Sequence, residues 1–161
     1  MKYFKLAFFL TVLFLTGAAH GQNRFVYKTY YNPRFEFSVA YPSNILTPGP
    51  PAWNGDGRIF RSADGATEMR AYGGYNALFQ TLSEVYKNEC AVPGREITYK
   101  AFNGNWFVVS GYEGQNVFYL KQILKKDELK NEIFLTLTIE YPKSQKNILD
   151  PVTAKVARSF K

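Results

Sequence analysis

Residues 132–142 read EIFLTLTIEYP, and every second side chain is large and apolar: Ile133, Leu135, Leu137, Ile139 and Tyr141. Between them stand Phe134, Thr136, Thr138 and Glu140. Such a period of two points alternate side chains to opposite faces of an extended strand and does not fit a helix. The same alternation runs through FEFSVAYP, where Phe35, Phe37, Val39 and Tyr41 share one face. GRIFRSA and TEMRAYGG read as two more strands, joined at Asp64-Gly65, a dipeptide that tolerates the positive φ of a hairpin turn. REITYKAF, NWFVVSGYE and NVFYLKQILKK follow in meander order, connected at Asn103-Gly104 and Gly114-Gln115. FVYKTYY adds a β-rich opening, and SNILTPGPPAWNGDG has no periodicity and reads as a loop.

Two segments break the β pattern. NALFQTLSEVYKNEC (76–90) takes helical spacing, with Leu78, Leu82 and Val85 in one stripe, Phe79 and Tyr86 beside it, and Asn76 as the N-cap. Toward the C-terminus, Asp150-Pro151 reads as an N-cap followed by proline at the first helical position, after a short turn at SQKNIL. Ile148, Leu149, Val152, Val156 and Phe160 mark the buried stripe. At 161 residues the chain suits one domain with a real core, and its 14 Phe and 12 Tyr exclude a disordered chain. Strands, helix, strands, helix make an α+β domain: a central antiparallel β-sheet flanked by helices.

The first residues carry an address. Lys2 and Lys5 precede the apolar run LAFFLTVLFLT, and TGAAHGQ supplies small residues for cleavage. Roughly eleven apolar residues match a signal-peptide core and fall short of the ~18 that span a bilayer. Residues 1–21 therefore read as a signal peptide, cut after Gly21 or after Ala19, and residues 22–161 as a single exported domain, periplasmic or secreted. An uncleaved anchor is the competing reading; with cleavage, no transmembrane segment is left. Nucleic acid is not an expected partner outside the cytoplasm.

Export then limits the chemistry. His20, the sole histidine, lies at the cleavage junction. A mature domain without histidine holds no Ser-His-Asp triad, no Cys-His dyad and no histidine-bearing zinc site. Cys90 is the single cysteine, so no internal disulfide forms; it reads as a small buried hydrophobe or as a thiol for an intermolecular disulfide. Removing Lys2 and Lys5 lowers the formal charge from +7 to +5, and the densest basic stretch, KQILKKDELK, is interrupted by acids. It reads as a solvated strand end or as a patch for anionic envelope polymers.

NGDGRIFRSADG (54–65) looks at first like a ligand loop. An EF-hand starting at Asn54 would need an oxygen ligand where Arg58 stands and a glycine where Ile59 stands. The phosphate-loop lysine is absent too. Turns around a strand are the better reading, and no metal or cofactor is expected. Asp56, Asp64, Glu68 and Glu113 lie near loops or strand ends, yet nothing in their spacing sets two about a scissile bond. Aromatics stand out more. Trp53 occupies a polar, proline-rich loop, and Tyr72, Tyr75, Tyr112 and Tyr119 lie near glycines or strand ends. Amphipathic rings of this kind stack on sugars or dock proteins, although most strand aromatics are core. Trp53, Asp56, Tyr72 and Tyr75 are the candidate ligand or partner surface.

The phrases YNPRFEFSVAYPSN, NGDGRIFRSADG, RAYGG and DPVTAKVARSF resemble exported bacterial domains of the PsbP-like superfamily, over about residues 24 to 160. The resemblance implies a central antiparallel sheet with flanking helices and a non-catalytic docking, assembly or chaperone-like role. It carries over no catalytic residue. The resulting expectation is a non-enzymatic envelope or secreted binding module for a protein partner or an envelope glycan. The alternatives are an oligomeric structural protein and a hydrolase working with carboxylates alone.

Overall fold

The computed structural model describes residues 25–161; the signal segment, its cleavage positions and His20 lie outside the described residues. Strands β1 (Tyr27–Asn32) and β2 (Phe37–Pro42) form a hairpin of their own. The main sheet has seven antiparallel strands. They are β3 (Thr47–Pro48), β4 (Gly57–Arg61), β5 (Glu68–Tyr75), β6 (Arg95–Asn103), β7 (Trp106–Glu113), β8 (Asn116–Lys126) and β9 (Glu132–Pro142), in the order β3-β4-β5-β9-β8-β7-β6. Helix α1 (Leu82–Cys90) follows β5, and a 3₁₀ turn (Lys143–Gln145) leads into α2 (Lys146–Ser159).

The alternating strand that opened the sequence reading is β9, and it lies inside the sheet. Its partners are β5 (Ala71 opposite Leu137) and β8 (Leu120 opposite Thr138). Burial on both faces along its middle explains why Phe134, Thr136 and Thr138 carry no charge, while Glu140 near its end is exposed. Ile133, Leu135, Leu137, Ile139 and Tyr141 join a core with β2, Met69, Ala71 and the α2 residues Leu149, Val152 and Val156. Phe134 turns to the other face, against a smaller core of Leu82, Phe107, Val109, Phe118 and Leu120 beneath α1. The chain is thus sheet-dominated, and "flanked by helices" describes it only loosely. The β1–β2 hairpin covers the first face together with α2, and α1 covers part of the second.

Three expectations give way. Helix α1 begins five residues later than the Asn76 cap implies. Thr81 is the N-cap, and with Glu84 it forms a capping box: Thr81 Oγ1 accepts from the Glu84 N–H, and Glu84 accepts from the Thr81 N–H. Asn76 instead closes a turn over 76–80, accepting from the Gln80 N–H at 3.0 Å. Leu78 and Phe79 fall outside the helix and are exposed. Second, Asp150-Pro151 does not start a helix; α2 already runs from Lys146, and Pro151 sits inside it. Asp150 is engaged by the Tyr141 hydroxyl and Lys146 rather than by a helix N-terminus. Packing of Leu149 and Val152 holds the turn that proline weakens. Ile148, expected in the buried stripe, is half exposed. Third, the loop after β2 is not featureless: Leu46 enters the core, and Thr47–Pro48 pair with β4 at the sheet edge.

Candidate functional site

Four connections meet at one end of the sheet: the β1–β2 turn (32–36), the loop before β4 (51–56), the β5–α1 loop (76–81) and the β8–β9 turn (127–131). The first two are tied together by Asn32. This side chain is buried; it donates to Gly55 O at 2.8 Å and accepts from the Phe35 N–H at 2.9 Å. Gly55 takes φ +74°, a conformation that costs glycine little. Arg34 adds a second tie, donating to Asn54 O and pairing with Asp56 Oδ1 at 2.8 Å. The Asp56 carbonyl accepts from the Gly73 N–H at 2.9 Å. Trp53 projects from this bonded loop with 98% of its surface exposed.

Tyr75 links the next two connections. Its ring meets Phe35 edge to face, centroids 5.5 Å apart, and half of it is exposed. Gly73, two residues earlier on the same face, makes room for Phe35: a Cβ there would lie 2.5 Å from the ring. On one side of Tyr75 is a hollow of about 210 Å³ bordered by Arg34, Lys125 and Leu129. On the other is a hollow of about 670 Å³ bordered by Phe79, Lys126, Lys130 and Glu132. Phe79 is 90% exposed and held at φ +53°, where a β-carbon is strained. Asn76 fixes that loop to the sheet, donating to Gln80 O and Glu132 Oε2, each at 2.8 Å.

Trp53, Asp56 and Tyr75 therefore share one end of the molecule. Tyr72 does not join them: three residues from Tyr75, it points to the opposite face of the sheet, beside Thr136. Asp56 is spent on Arg34 and Asn54, so its role there is to stiffen the loop. Leu78, Phe79 and Leu129, all exposed here, were not among the residues expected at this surface; the first two had been assigned to the helix. The capping box TLSE was the signal that would have released the first two from the helix.

The other candidate carboxylates, Asp64, Glu68 and Glu113, are held in structural contacts. Glu68 pairs with Arg61 and Arg70, and Glu113 with Arg95. Asp64 takes hydrogen bonds from Ser62 and the Ala66 N–H, which hold its carboxyl below the ordinary carboxylate value. Cys90 is half-buried at the end of α1, packed against the smaller core.

This architecture, a large antiparallel sheet with a separate hairpin and two helices, is a PsbP-like fold. The solution structure of cyanobacterial PsbP (CyanoP) from Synechocystis sp. PCC 6803 superimposes with a TM-score of 0.59 at 13% identity, covering 91% of this chain and 98% of that one. The crystal structure of the Saccharomyces cerevisiae Ran-binding protein Mog1p gives a TM-score of 0.50 at 8% identity, over 86% and 96% of the two chains. At these identities the likeness is one of fold. No protein-family model and no curated sequence matches the chain. Among the described residues, no helix is long and apolar enough to cross a membrane, and no group of three or more His, Cys, Asp or Glu side chains is placed to hold a metal ion.

Proposed function

We propose that this chain is an exported, non-enzymatic binding module that docks a protein partner through the loop end of its sheet. The observation that carries the reading is the presentation of large rings on stiffened loops. Trp53 is 98% and Phe79 90% exposed, yet both loops are pinned by buried asparagines, Asn32 and Asn76. Exposed rings on a rigid support bind at low entropic cost, which is how aromatic anchors dominate protein interfaces. Two things support a protein as the partner. Mog1p, of similar fold, is named for binding the protein Ran. Leu78 and Leu129 extend the apolar surface beyond the two rings. The engagement of Asp56, Glu68, Glu113 and Asp64 in structural contacts supports a role without catalysis. The basic, apolar and small-residue order of residues 1–21 supports export, with residues 22–161 as the mature domain.

Crosslinking of the wild-type protein in its native envelope, followed by mass spectrometry, tests the docking. A Trp53→Ala, Phe79→Ala double variant should lose a partner that the wild type captures. An unchanged set of crosslinked partners rejects the loop end as the docking surface. The N-terminal mass of the protein recovered from the host tests export: a start at residue 22 or 20 is expected, and an intact Met1 in the cytoplasm overturns it.

A further inference from the structure

Helix α2 packs on β2, β9 and β8 and stops short of the sheet's outer strands. Between it and β6–β8 lies a cleft of about 260 Å³, on the opposite side of α2 from the β1–β2 hairpin and away from the loop end. Four consecutive strands each send one tyrosine into it: Tyr99, Tyr112, Tyr119 and Tyr141. The register explains the arrangement. Tyr99, Ser110 and Tyr119 lie in one cross-strand row, and Tyr112, Val117 and Tyr141 in the next, two residues or roughly 7 Å along the strands. The tyrosines are thereby staggered over a small concave surface instead of stacked on one another. Tyr99 is 58% exposed and forms the outer wall; Tyr141 is buried at the back.

The polar groups around these rings are informative because most of them are already used. The Tyr141 hydroxyl donates to Asp150 Oδ1 at 2.7 Å, and Lys146 pairs with the other oxygen of that carboxylate. The Lys143 ammonium sits 4.4 Å from the Tyr112 ring centroid, closing one face of that ring. Lys146 and the Asp150 carboxylate neutralise each other, and the Lys143 ammonium is turned onto the Tyr112 ring, so no charged group of the cleft is left for an ionic guest. Burial raises the Tyr119 phenol above its ordinary pKa, so it remains a neutral hydroxyl. What is left is a set of ring faces and hydroxyls. Thr153, only 6% exposed, lines the back of the cleft, where its side chain lies against the Tyr141 hydroxyl.

The geometry points to a second binding site in this cleft, for a neutral sugar ring. A pyranose has an apolar face of C–H groups to lie on Tyr99 and Tyr119 and equatorial hydroxyls to meet Ser110. Ser110 Oγ donates to Phe118 O at 2.8 Å and keeps its lone pairs for a donor. The volume lies just under the range of drug-sized pockets and suits a single ring at the end or side of a glycan. This site is separate from the loop end, so its ligand and the docking partner are bound independently.

Saturation-transfer NMR on the folded protein tests the assignment, with methyl β-glucoside, maltotriose and triacetylchitotriose as sugar probes and tetramethylammonium and inorganic phosphate as ionic ones. At least one sugar should receive saturation on its ring protons. Tyr99→Ala, an exposed change on an edge strand, should weaken that sugar roughly tenfold. Ser110→Ala, which removes the accepting hydroxyl, should weaken it as well, and Trp53→Ala should leave it unchanged. Silence from all three sugars overturns the proposal. So does binding of tetramethylammonium or phosphate in their place, or sugar binding that survives both cleft variants. Sensitivity to Trp53→Ala alone moves the sugar to the loop end and rejects the cleft.

Discussion

One face of the seven-stranded sheet is buried beneath a fourteen-residue helix and a β-hairpin; the other is covered only in part, by α1, which is nine residues long. The first core spans Phe35, Leu137, Tyr141, Val156 and Phe160, with rings meeting edge to face, as between Phe37 and Phe160 at 5.7 Å. The second rests on Leu82, Phe107 and Phe118, with Tyr86 tilted against Phe107 at 5.5 Å. Apolar area removed from water sets most of the stabilisation, so the thick face holds the fold and the thin face is held to it. Each face also carries its own kind of opening. The thick face has the tyrosine cleft where α2 ends its coverage, and the thin face gives way to the loop of Leu78 and Phe79.

The sharpest way to break this comparison is to make the same deletion on both sides. Leu137→Ala, in the thick core, should cost about 2–5 kcal/mol in urea unfolding, toward the upper end because its neighbours are fixed by two elements. Leu82→Ala should fall near the lower end, about 2 kcal/mol, because α1 can settle inward. Equal costs would mean that the two faces are equally rigid. A smaller effect is expected at the cap: Thr81→Ala should destabilise by about 1 kcal/mol and speed hydrogen exchange in α1 while leaving α2 protected.

Glu84 sharpens the same point through pH. Its carboxyl is lowered by the Thr81 N–H and hydroxyl, so the folded state binds its proton less readily than the unfolded chain. The cap's contribution is therefore full above the unfolded value of about 4.5 and is lost as pH falls through the lower folded value. Stability of the wild type and Glu84→Ala should differ near neutral pH and converge under acid. A constant difference would place the effect in packing. The smallest change is expected from Trp53→Ala, within about 0.5 kcal/mol, since the ring touches little.

The strands were legible because half-buried strands show their parity. Phe37, Val39 and Tyr41 are all buried as the alternation requires, whereas Phe35, also buried, lies in the β1–β2 turn ahead of the strand. Parity also held a warning that the sequence reading did not use: Tyr72 and Tyr75 differ by an odd number and had to face opposite ways. The pairing of β9 with β5 was not legible, because it depends on contacts between segments sixty residues apart rather than on any local pattern. The start of α1 was misplaced because Asn76 and Thr81 are both good caps, and Leu78 happens to fit the helical stripe. Only the reciprocal bonds of Thr81 and Glu84 separate the two. Of the loop end, Trp53 was readable from its chemistry, a ring among prolines and glycines. Phe79 was not, since its exposure follows from that later helix start.

Ala40 donates its backbone N–H to Ser159 Oγ across 119 residues, and Ser38 exchanges backbone hydrogen bonds with Lys161. At a synthesis rate of ~5–20 residues per second, the β1–β2 hairpin waits about 6–24 s for the segment that closes over it. During that interval the thick core lacks its second layer, and the nascent chain has little to hold it shut. Folding of this domain is therefore a late event, completed after the ribosome has delivered residue 161. That delay suits the export proposed above, since an open chain passes a narrow pore and a closed domain does not.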